Sequence, residues 1–426
     1  MKVWLIHPCN QLPGDAWRES RIHCICDELV KNGHKCLWWT ASFSHHTKRY
    51  RSSGWKDIDI NSHYKIRLVP TPAYYKHVSI ARLRFHWLYS WRIYQRGKKE
   101  PGPDCIIAND TPLGDSFFAL LLARRFKAKL VLDITDEWPE QFVLIFPPGL
   151  RSAACLLFTP LYVFRKYVRR QADGISALCK DYFRTVRKEV PKASPSSWLT
   201  VYNGIDVGAF RKVLNEDPGL NGFDLCLQKI RGELWVIYAG TLGNTYDIPT
   251  ILRAAELLKD RHVPVRFIIA GDGPLRPAVE KAAEREDARL IYVGRLKYED
   301  LIRVYKHCDV GLCAYAPGST VGMPDKAYDY LAAGLVIVSS LRGELATWLK
   351  EKQCGVQYQA GDAESLATVL ERLTVETDSR EVMAKNSYDT AMLFDRHVQY
   401  RKYVEWIETL CTTNSIDNQV NDIADR

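Results

Sequence analysis

The 426-residue sequence lacks an uninterrupted apolar run of the about 20 residues that a membrane-spanning helix needs. Its most apolar segment, residues 142–164, is broken by three prolines, Gly149 and Arg151. The twelve cysteines include no CxxC pair, which argues against a structural zinc site and for reduced thiols. These absences predict a cytoplasmic protein that does not cross a membrane.

A recognisable nucleic-acid-binding motif is also absent, although the chain carries a formal charge of +9. The charge is uneven: residues 1–200 contain 32 Lys and Arg against 17 Asp and Glu, whereas residues 201–426 contain 27 against 33. In residues 82–99 and 155–170 the basic side chains are interspersed with aromatic and aliphatic ones, which suits the headgroup boundary of an anionic membrane. Core helices with polar outer faces explain the same segments. We predict a peripheral protein on the inner face of the cell membrane, with no nucleic-acid partner.

Short apolar strands alternate with helices along a chain that is too long for a single core. The alternation stops in a polar passage from Asp206 to Gly232 and then restarts at ELWVIYAG. We predict an α/β protein with two Rossmann-like, doubly wound domains that face each other across a cleft. The predicted bounds are residues 1–205 and 206–392, followed by residues 393–426 as a helix packing back on the first domain and a polar tail. In such sheets, ligands bind beyond the carboxyl ends of the strands.

The stretch MPDKAYDYLAAGLVIVSS, which begins at Met323, predicts a loop, a helix, a Gly turn and a buried strand. Lys326 and Asp329 are three residues apart and therefore lie on one side of that helix, near its N-terminus. The helix end has free backbone N–H groups and a positive dipole, so a phosphate would find an anion site with a Lys beside it. The carboxylate is suited to accept hydrogen bonds from a ribose. A solvated surface whose charges complement the dipole is the alternative.

Three other strand-to-helix turns of the second domain carry residues suited to contact a diphosphate. Gly240 and Gly243 in AGTLGNTYD let a backbone approach phosphate, although tight packing explains them equally well. Gly271 lies in AGDGPL, which lacks the GxGxxG spacing and the acidic ribose ligand of an NAD site, so no such cofactor is predicted. Arg295 in VGRLKYED ends a strand where a guanidinium can pair with phosphate, and the backbone of Leu296 can meet a base edge. A surface arginine is the alternative there.

The order of these segments resembles the donor-binding domain of family 4 retaining glycosyltransferases of the GT-B fold, in particular the bacterial cell-surface polysaccharide branch. The matching segments are YAGTLG, AGDGPLR, YVGRL, PDKAYDYLAAGLVIVSS and GELA, and MKVWLIHP, KNGHKCLWWTAS and VYNGIDVGAF extend the likeness over nearly the whole chain. The resemblance implies that Asp329 holds the ribose of a nucleotide sugar, and that Lys326, Arg295 and backbone amides near Gly240 hold its diphosphate. The full set of implied donor-binding residues in these segments is Gly240, Gly243, Gly271, Arg295, Leu296, Thr320, Pro324, Lys326 and Asp329.

The chain departs from the family's Glu-x7-Glu pattern. The position eight residues before Asp329 is Val321, so the first carboxylate is missing. The resemblance then implies that backbone groups or Thr320 contact the sugar hydroxyls.

A second departure concerns the cations after the first glycine of this domain. The usual Arg and Lys are replaced by Thr241 and by Asn244 or Tyr246. Neutralisation of the phosphates therefore depends more heavily on Lys326 and Arg295. Because cations and helix termini serve this purpose, we expect no metal site and no cofactor.

The segment DEWPEQF, residues 136–142, follows a predicted strand of the first domain and resembles the family's Asp-x-Trp-Pro-Glu motif. Carboxylates that face a transferred sugar stabilise an oxocarbenium-like centre or take the proton of the acceptor hydroxyl. Asp136 is the first candidate for catalysis and Glu137 the second. Glu140 follows them and is assigned to acceptor binding. In the alternative, Asp136 caps a helix and Trp138 packs.

Three residues after the first strand complete the predicted site. Gly14 is placed to meet the diphosphate from the side opposite the second domain, and Arg18 and Arg21 are suited to hold a phosphate of the acceptor. We predict a retaining glycosyltransferase that moves a sugar from a nucleotide-diphosphate sugar, with uridine favoured, to a lipid-linked or growing glycan acceptor. Lipopolysaccharide and exopolysaccharide synthesis are the expected settings. The rival hypotheses are a nucleotide-sugar epimerase or hydrolase, and a non-catalytic scaffold with a decayed donor site.

Overall fold

A computed structural model describes residues 1–424 except 16–18, 77–78, 144–145, 192–193, 217–228 and 286; for residues 141, 148 and 413–424 it describes the backbone. The chain divides into two compact units, Met1–Tyr202 with Gln399–Arg426 and Asn203–Val398. Each unit is built on a largely parallel sheet whose strands are connected by helices. The predicted α/β class with two Rossmann-like domains is therefore confirmed.

The first unit contains one eight-stranded sheet. Its strands are β1 (Lys2–Ile6), β2 (Lys35–Ala41), β3 (Lys56–Asn61), β4 (Tyr64–Val69), β5 (Cys105–Asn109), β6 (Lys129–Ile134), β7 (Gly174–Ala177) and β8 (Trp198–Thr200). The order is β3-β4-β2-β1-β5-β6-β7-β8, and β3 pairs antiparallel with β4 at the edge. Because the chain order reverses between β1 and β5, the loops after these two strands diverge and open a ligand position.

Helices of the first unit lie on both faces of this sheet. They are α1 (Arg21–Lys31), α2 (Ile80–Gly97), α3 (Leu113–Phe126), α4 (Glu140–Val143), α5 (Arg151–Leu157), α6 (Thr159–Arg169) and α7 (Phe183–Glu189). The neighbouring residues Trp38 and Trp39 of β2 are both buried but belong to different core clusters, because successive side chains of a strand point to opposite faces. The sheet is thus covered on both faces, as an apolar parallel sheet requires.

The second unit contains a six-stranded, all-parallel sheet. Its strands are β9 (Leu234–Ala239), β10 (Val265–Ala270), β11 (Leu290–Gly294), β12 (Val310–Cys313), β13 (Val336–Ser339) and β14 (Gly355–Gln357), in the order β11-β10-β9-β12-β13-β14. Its helices are α8 (Val207–Asn215), α9 (Ile248–Asp260), α10 (Arg276–Ala283), α11 (Tyr298–Tyr305), α12 (Asp325–Ala333), α13 (Glu344–Lys352), α14 (Ala363–Val375) and α15 (Thr377–Thr390). The order reverses between β9 and β12, so α12 begins in the loop region next to that reversal.

The start of α12 is fixed against the sheet by its own residues. The Tyr330 hydroxyl accepts a hydrogen bond from the backbone N–H of Ala239 at 3.0 Å. The Tyr330 ring lies where Gly311 of β12 has no side chain, since a Cβ there would be 2.3 Å from the ring. The helix ends at Gly334, whose φ of 72° is the left-handed cap conformation. These contacts hold the helix at a defined position beside β9.

The last helix, α16 (Arg396–Ala424), joins the core of the first unit. Tyr400, Tyr403, Val404 and Ile407 are buried there with residues of β1 and β5. The Tyr403 hydroxyl lies 3.0 Å from the Ser176 hydroxyl of β7. The helix therefore covers one face of the first sheet.

Candidate active site

The Lys326 ammonium lies among three tyrosine rings of the second unit. Its Nζ is 3.9 Å from the ring centroid of Tyr238, 4.9 Å from that of Tyr246 and 5.5 Å from that of Tyr315. The Nζ is buried and has no hydrogen-bond partner within the described part of the chain. Burial lowers the pKa of Lys326 to about 8. A buried cation that contacts aromatic faces and no carboxylate is suited to receive an anion.

The helix geometry adds backbone donors to this ammonium. Lys326 is the second residue of α12, and Pro324 precedes the helix without a side-chain cap. The Nδ2 of Asn203 donates to the Oδ1 of Asp325 at 3.0 Å and so ties the VYNG junction to the helix start. An anion at this end would meet the first N–H groups of α12 together with the Lys.

Gly240 and Gly271 bring the loops after β9 and β10 into backbone contact. Their φ angles are 151° and 149°, and a Cβ on Gly271 would lie 1.8 Å from the carbonyl oxygen of Gly240. A Cβ on Gly240 would lie 2.8 Å from the Nζ of Lys326. The nearest atom to a Cβ on Gly243 would be 3.6 Å away, in Thr241. Gly240 therefore keeps the space beside the ammonium open, whereas Gly243 has room for a side chain.

Asp329 is buried one helical turn after Lys326. Its Oδ1 accepts a hydrogen bond from the hydroxyl of Tyr298, the first residue of α11, at 3.0 Å. The carboxylate is thus oriented by a neighbouring helix. The structure brings Lys326 and Asp329 to the same helix and to the same edge of the sheet.

The other predicted donor-binding residues lie in loops after β11 and β12. Arg295 is exposed and Leu296 is half-buried directly after β11, and Thr320 is exposed in the loop before α12. Val321 takes the position of the missing carboxylate and is half-buried. Because β9 to β12 are parallel, the loops that follow them meet at one edge of the sheet. The structure thus collects the predicted donor residues at a single edge.

Asp136 and Glu137 follow β6 at the carboxyl edge of the first sheet. Asp136 is exposed, and its backbone oxygen accepts a hydrogen bond from the Thr111 hydroxyl at 3.3 Å. Glu137 is half-buried, and burial together with the neighbouring Glu140 raises the pKa of Glu137 to about 7. A carboxyl group with this pKa exchanges protons readily at neutral pH.

Glu140 takes part in a buried ion-pair network. Its two carboxylate oxygens accept hydrogen bonds from Arg165 of α6 at 2.6 and 2.8 Å, and Arg165 also pairs with Glu189 at 2.7 Å. Arg169, one turn later, pairs with Asp110 after β5. The network links the loops after β5 and β6 to α6 and α7, so the geometry gives Glu140 a supporting position beside Glu137.

Arg21 is enclosed in the core of the first unit. Its guanidinium donates to both oxygens of Asp133, at 2.8 and 2.9 Å, and to the backbone oxygen of Val201 at 2.7 Å. These partners leave the group little capacity for an acceptor phosphate. Gly14 lies after β1 with a φ of 82° and open space around it, and Arg18 lies outside the described residues.

The sequence pattern does not indicate a site role for Tyr238, Tyr315 or Asn203, and it presents Tyr246 only as a candidate replacement for a family cation. Tyr238 is the penultimate residue of β9 and Tyr315 follows β12 by two residues, so aromatic residues at the carboxyl ends of strands were the available signal. The contact between Tyr246 and Tyr315 arises from an antiparallel bridge between two loops, which the sequence does not reveal. Asn203 was visible only as part of the junction motif.

Comparisons with known proteins identify the architecture. Residues 233–375, which include β9 and the whole of α12, match the family model described as Glycosyl transferases group 1. HepE from Anabaena, solved in complex with UDP, superposes with a TM-score of 0.66 at 12% identity and covers 96% of this chain and 100% of that one. The fold is GT-B. The GT-B fold predicted from the resemblance is thereby confirmed.

Two curated relatives of this chain are named as sugar transferases. The sulfoquinovosyl transferase SQD2 of Arabidopsis thaliana is 24% identical over 69% of this chain and 54% of its own length. The putative colanic acid biosynthesis glycosyl transferase WcaI of Escherichia coli is 22% identical over 84% of this chain and 92% of its own length. The chain therefore spans about half the length of SQD2 and most of WcaI, and it is related to transferases of polysaccharide biosynthesis.

Proposed function

We propose that the protein is a family 4 retaining glycosyltransferase that moves a sugar from a UDP-sugar to a lipid-linked or growing glycan acceptor. The family-model match and the similarity to WcaI support sugar transfer in cell-surface polysaccharide synthesis. The HepE structure with UDP supports uridine as the base. In this proposal the second unit binds the donor and the first unit binds the acceptor.

The observation that carries the proposal is the buried ammonium of Lys326, which has no hydrogen-bond partner among the described residues. A diphosphate oxygen would supply the missing acceptor and would also meet the N–H groups at the start of α12. The same cation and helix end would stabilise the charge that develops on the leaving diphosphate without a metal ion. Asp329 then holds the ribose, and the exposed Arg295 is a second cation for the phosphates.

The first unit would supply the carboxylates. Asp136 stabilises the oxocarbenium-like centre that forms at the transferred sugar. Glu137, whose pKa is raised to about 7, accepts the proton of the attacking acceptor hydroxyl. Glu140 and Arg165 keep the loop that carries Glu137 in place through their ion pair.

The first unit would also bind the membrane through an apolar stripe on α2, which consists of Ile80, Leu83, Trp87 and Trp91. These four side chains are exposed and follow one another at intervals of three or four residues, so they share one side of the helix. A second exposed apolar group on α5 and α6 consists of Leu156, Leu157, Leu161 and Val163. Because residues 1–200 are the basic half of the chain, an anionic lipid surface at the inner face is the expected partner.

Among the helices of the described residues, none combines the length and the apolarity that spanning a bilayer requires.

Calorimetric titration with UDP, UDP-sugars and GDP-sugars tests the donor assignment. We expect Lys326→Met to weaken UDP binding by about a hundredfold, because a charge-assisted hydrogen bond and a desolvated cation are lost together. Lys350→Met is the matched control, since Lys350 is an exposed lysine of the same unit on α13. UDP affinity that is equal in the two variants would refute the role of Lys326.

A product assay separates transfer from the rival reactions. The protein is incubated with the bound nucleotide sugar, with and without membrane lipid extract, and the sugar is followed by mass spectrometry. Transfer requires the extract and yields a glycosylated lipid whose anomeric configuration matches the donor. Isomerised or free sugar without extract would favour an epimerase or a hydrolase, and failure to bind any nucleotide sugar would favour a scaffold.

A further inference from the structure

A second group of cations and aromatic rings lies at the carboxyl edge of the first sheet. We name it the Lys48 cluster, and its members are Lys48, Tyr74, Arg82, His86 and Trp138. Lys48 follows β2, Tyr74 follows β4, Arg82 and His86 lie in the first turns of α2, and Trp138 follows β6. Because β2, β4 and β6 run in the same direction, the segments that follow them meet at one edge. This is the edge that also carries Asp136 and Glu137.

Two cations of the cluster contact the same aromatic ring. The Nζ of Lys48 is 4.4 Å from the ring centroid of Tyr74, and the Cζ of Arg82 is 5.9 Å from it. The Cζ of Arg82 is also 5.3 Å from the ring of Trp138. The Nζ of Lys48 is inaccessible to solvent and has no hydrogen-bond partner in the described parts of the chain. Burial and the nearby Arg82 lower the pKa of Lys48, as expected for a cation without a neutralising partner.

His86 is a buried histidine whose two ring nitrogens are both without a hydrogen-bond partner among the described residues. His86 is 4% exposed, and its ring lies 6.1 Å from the ring of Trp138 and 6.5 Å from that of Tyr74. Burial, reinforced by Arg82, lowers the pKa of His86 to about 3, so the ring is neutral at pH 7 and offers one donor and one acceptor. A buried polar ring with both nitrogens unused indicates a ligand that completes it.

Asp115 on α3 is a buried carboxyl group of the first unit that makes no hydrogen bond to the Lys48 ammonium. The Ser90 hydroxyl donates to the Oδ1 of Asp115 at 2.5 Å and also lies 2.8 Å from the backbone oxygen of His86. Burial raises the pKa of Asp115 to about 8, and the hydrogen bond from Ser90 opposes this rise only in part. Asp115 is therefore largely neutral at pH 7, and the Lys48 ammonium makes no hydrogen bond to a carboxylate of the described residues.

We propose that the Lys48 cluster binds a phosphate group of the acceptor, so that the acceptor is a phosphorylated compound. A phosphate ester presents oxygens that can accept from the Lys48 ammonium, the Arg82 guanidinium and the N–H of neutral His86. Tyr74 and Trp138 provide apolar surface for the group attached to it. This inference rests on the proposed function only in identifying the bound phosphate compound as the acceptor. Phosphate binding at this edge can be measured without a donor and without turnover.

The test removes the phosphate site of the second unit and measures what remains. In the Lys326→Met background, calorimetry is carried out with inorganic pyrophosphate, with a long-chain alkyl diphosphate in micelles and with a hexose 1-phosphate. Adding Lys48→Met should weaken binding of the preferred phosphate compound by about tenfold or more, on the scale of one charge-assisted hydrogen bond. Lys99→Met, at an exposed lysine just beyond α2, is the matched control and should leave that affinity unchanged. His86→Gln should also weaken binding, and Lys48→Arg should retain most of it.

The outcomes separate this inference from the proposed function. Stronger binding of the alkyl diphosphate supports a lipid-linked acceptor, and stronger binding of the hexose phosphate supports a soluble one. The inference is overturned if the Lys326→Met protein binds no phosphate compound, or if adding Lys48→Met leaves the affinity unchanged. Failure of UDP binding in the wild-type protein would remove the proposed donor reaction but would leave the phosphate titration in the first unit valid. Thermal melts of all variants exclude unfolding as the cause of lost binding.

Discussion

The Nζ of Lys326 lies 3.9 Å from the ring centroid of Tyr238, and a Cβ on the adjacent Gly240 would lie 2.8 Å from the same nitrogen. The ammonium therefore contacts aromatic faces, has open space beside Gly240 and makes no hydrogen bond to a carboxylate of the described residues. A cation–π contact replaces only part of the hydration that a buried ammonium loses. The buried ammonium therefore does not stabilise the ligand-free protein, but it favours the binding of an anion.

The affinity for UDP should depend on pH through Lys326. The pKa of this Lys is lowered to about 8 in the ligand-free protein, and a diphosphate binds the protonated form. UDP affinity should therefore be constant near neutral pH and fall by up to about tenfold per pH unit as the pH rises above 8. Lys326→Arg should show no such fall, because a guanidinium stays charged over this range. Titrations from neutral pH to about two pH units above it check this, and a flat wild-type profile would contradict it.

Gly271→Ala should destabilise the second unit. Gly271 has a φ of 149°, and a Cβ there would lie 1.8 Å from the carbonyl oxygen of Gly240. The position therefore has no room for a side chain. We expect a loss of about 2–4 kcal/mol in the free energy of unfolding, measured in urea. Gly243→Ala in the neighbouring loop should change stability by less than about 1 kcal/mol, because its Cβ would meet no atom closer than 3.6 Å. Equal effects of the two substitutions would argue against the described loop contact.

The strands and the start of α12 were predictable from the sequence because short apolar runs bounded by Gly and polar residues specify parallel strands. The predicted Gly turn after α12 is confirmed, since Gly334 has the left-handed cap conformation. The buried position of Arg21 is not predictable in this way. Its partners, Asp133 and Val201, are 112 and 180 residues away, and a one-dimensional pattern does not distinguish a buried arginine from a ligand-binding one. The same limit applies to Lys326, whose aromatic neighbours come from three separate segments.

Glu137 should determine the pH dependence of turnover. Its pKa is raised to about 7, and a carboxylate that takes the acceptor proton must be ionised. The value of kcat should therefore increase with pH up to about 7 and then level off, as in general-base catalysis. Glu137→Gln should lower kcat by about a hundredfold and remove this dependence, whereas Asp136→Asn should lower kcat and retain it. Initial rates from acid to neutral pH test both variants, and an unaltered profile in Glu137→Gln would exclude the proposed role.

Arg21→Met should reduce stability rather than acceptor affinity. Removing the guanidinium would take away two hydrogen bonds from the buried carboxylate of Asp133. Its remaining hydrogen-bond donor among the described residues would be the Ser176 hydroxyl, at 2.6 Å. Breaking a buried ion pair of this kind costs about 3–5 kcal/mol. Arg49→Met is the control, because Arg49 is exposed. The urea concentration at the midpoint of unfolding should be the same for this variant as for the wild-type protein. If Arg21→Met kept wild-type stability and lost acceptor binding, the acceptor contact predicted from the sequence would be supported.

Membrane binding should depend on the apolar stripe of α2. Ile80 and Leu83 are 85% and 59% exposed, so replacing both by Ser should alter the folding free energy little. Each side chain contributes about 1.5–3 kcal/mol when it enters an apolar phase, so the double variant should bind anionic vesicles at least about tenfold more weakly. The control is a pair of substitutions by Ser at Val375 and Val382, which are similarly exposed in the second unit.

Flotation with anionic and zwitterionic vesicles at low and high salt would distinguish apolar insertion from charge attraction, because salt screens only the attraction between charges. Equal flotation of the double variant and its control would exclude α2 as the membrane contact.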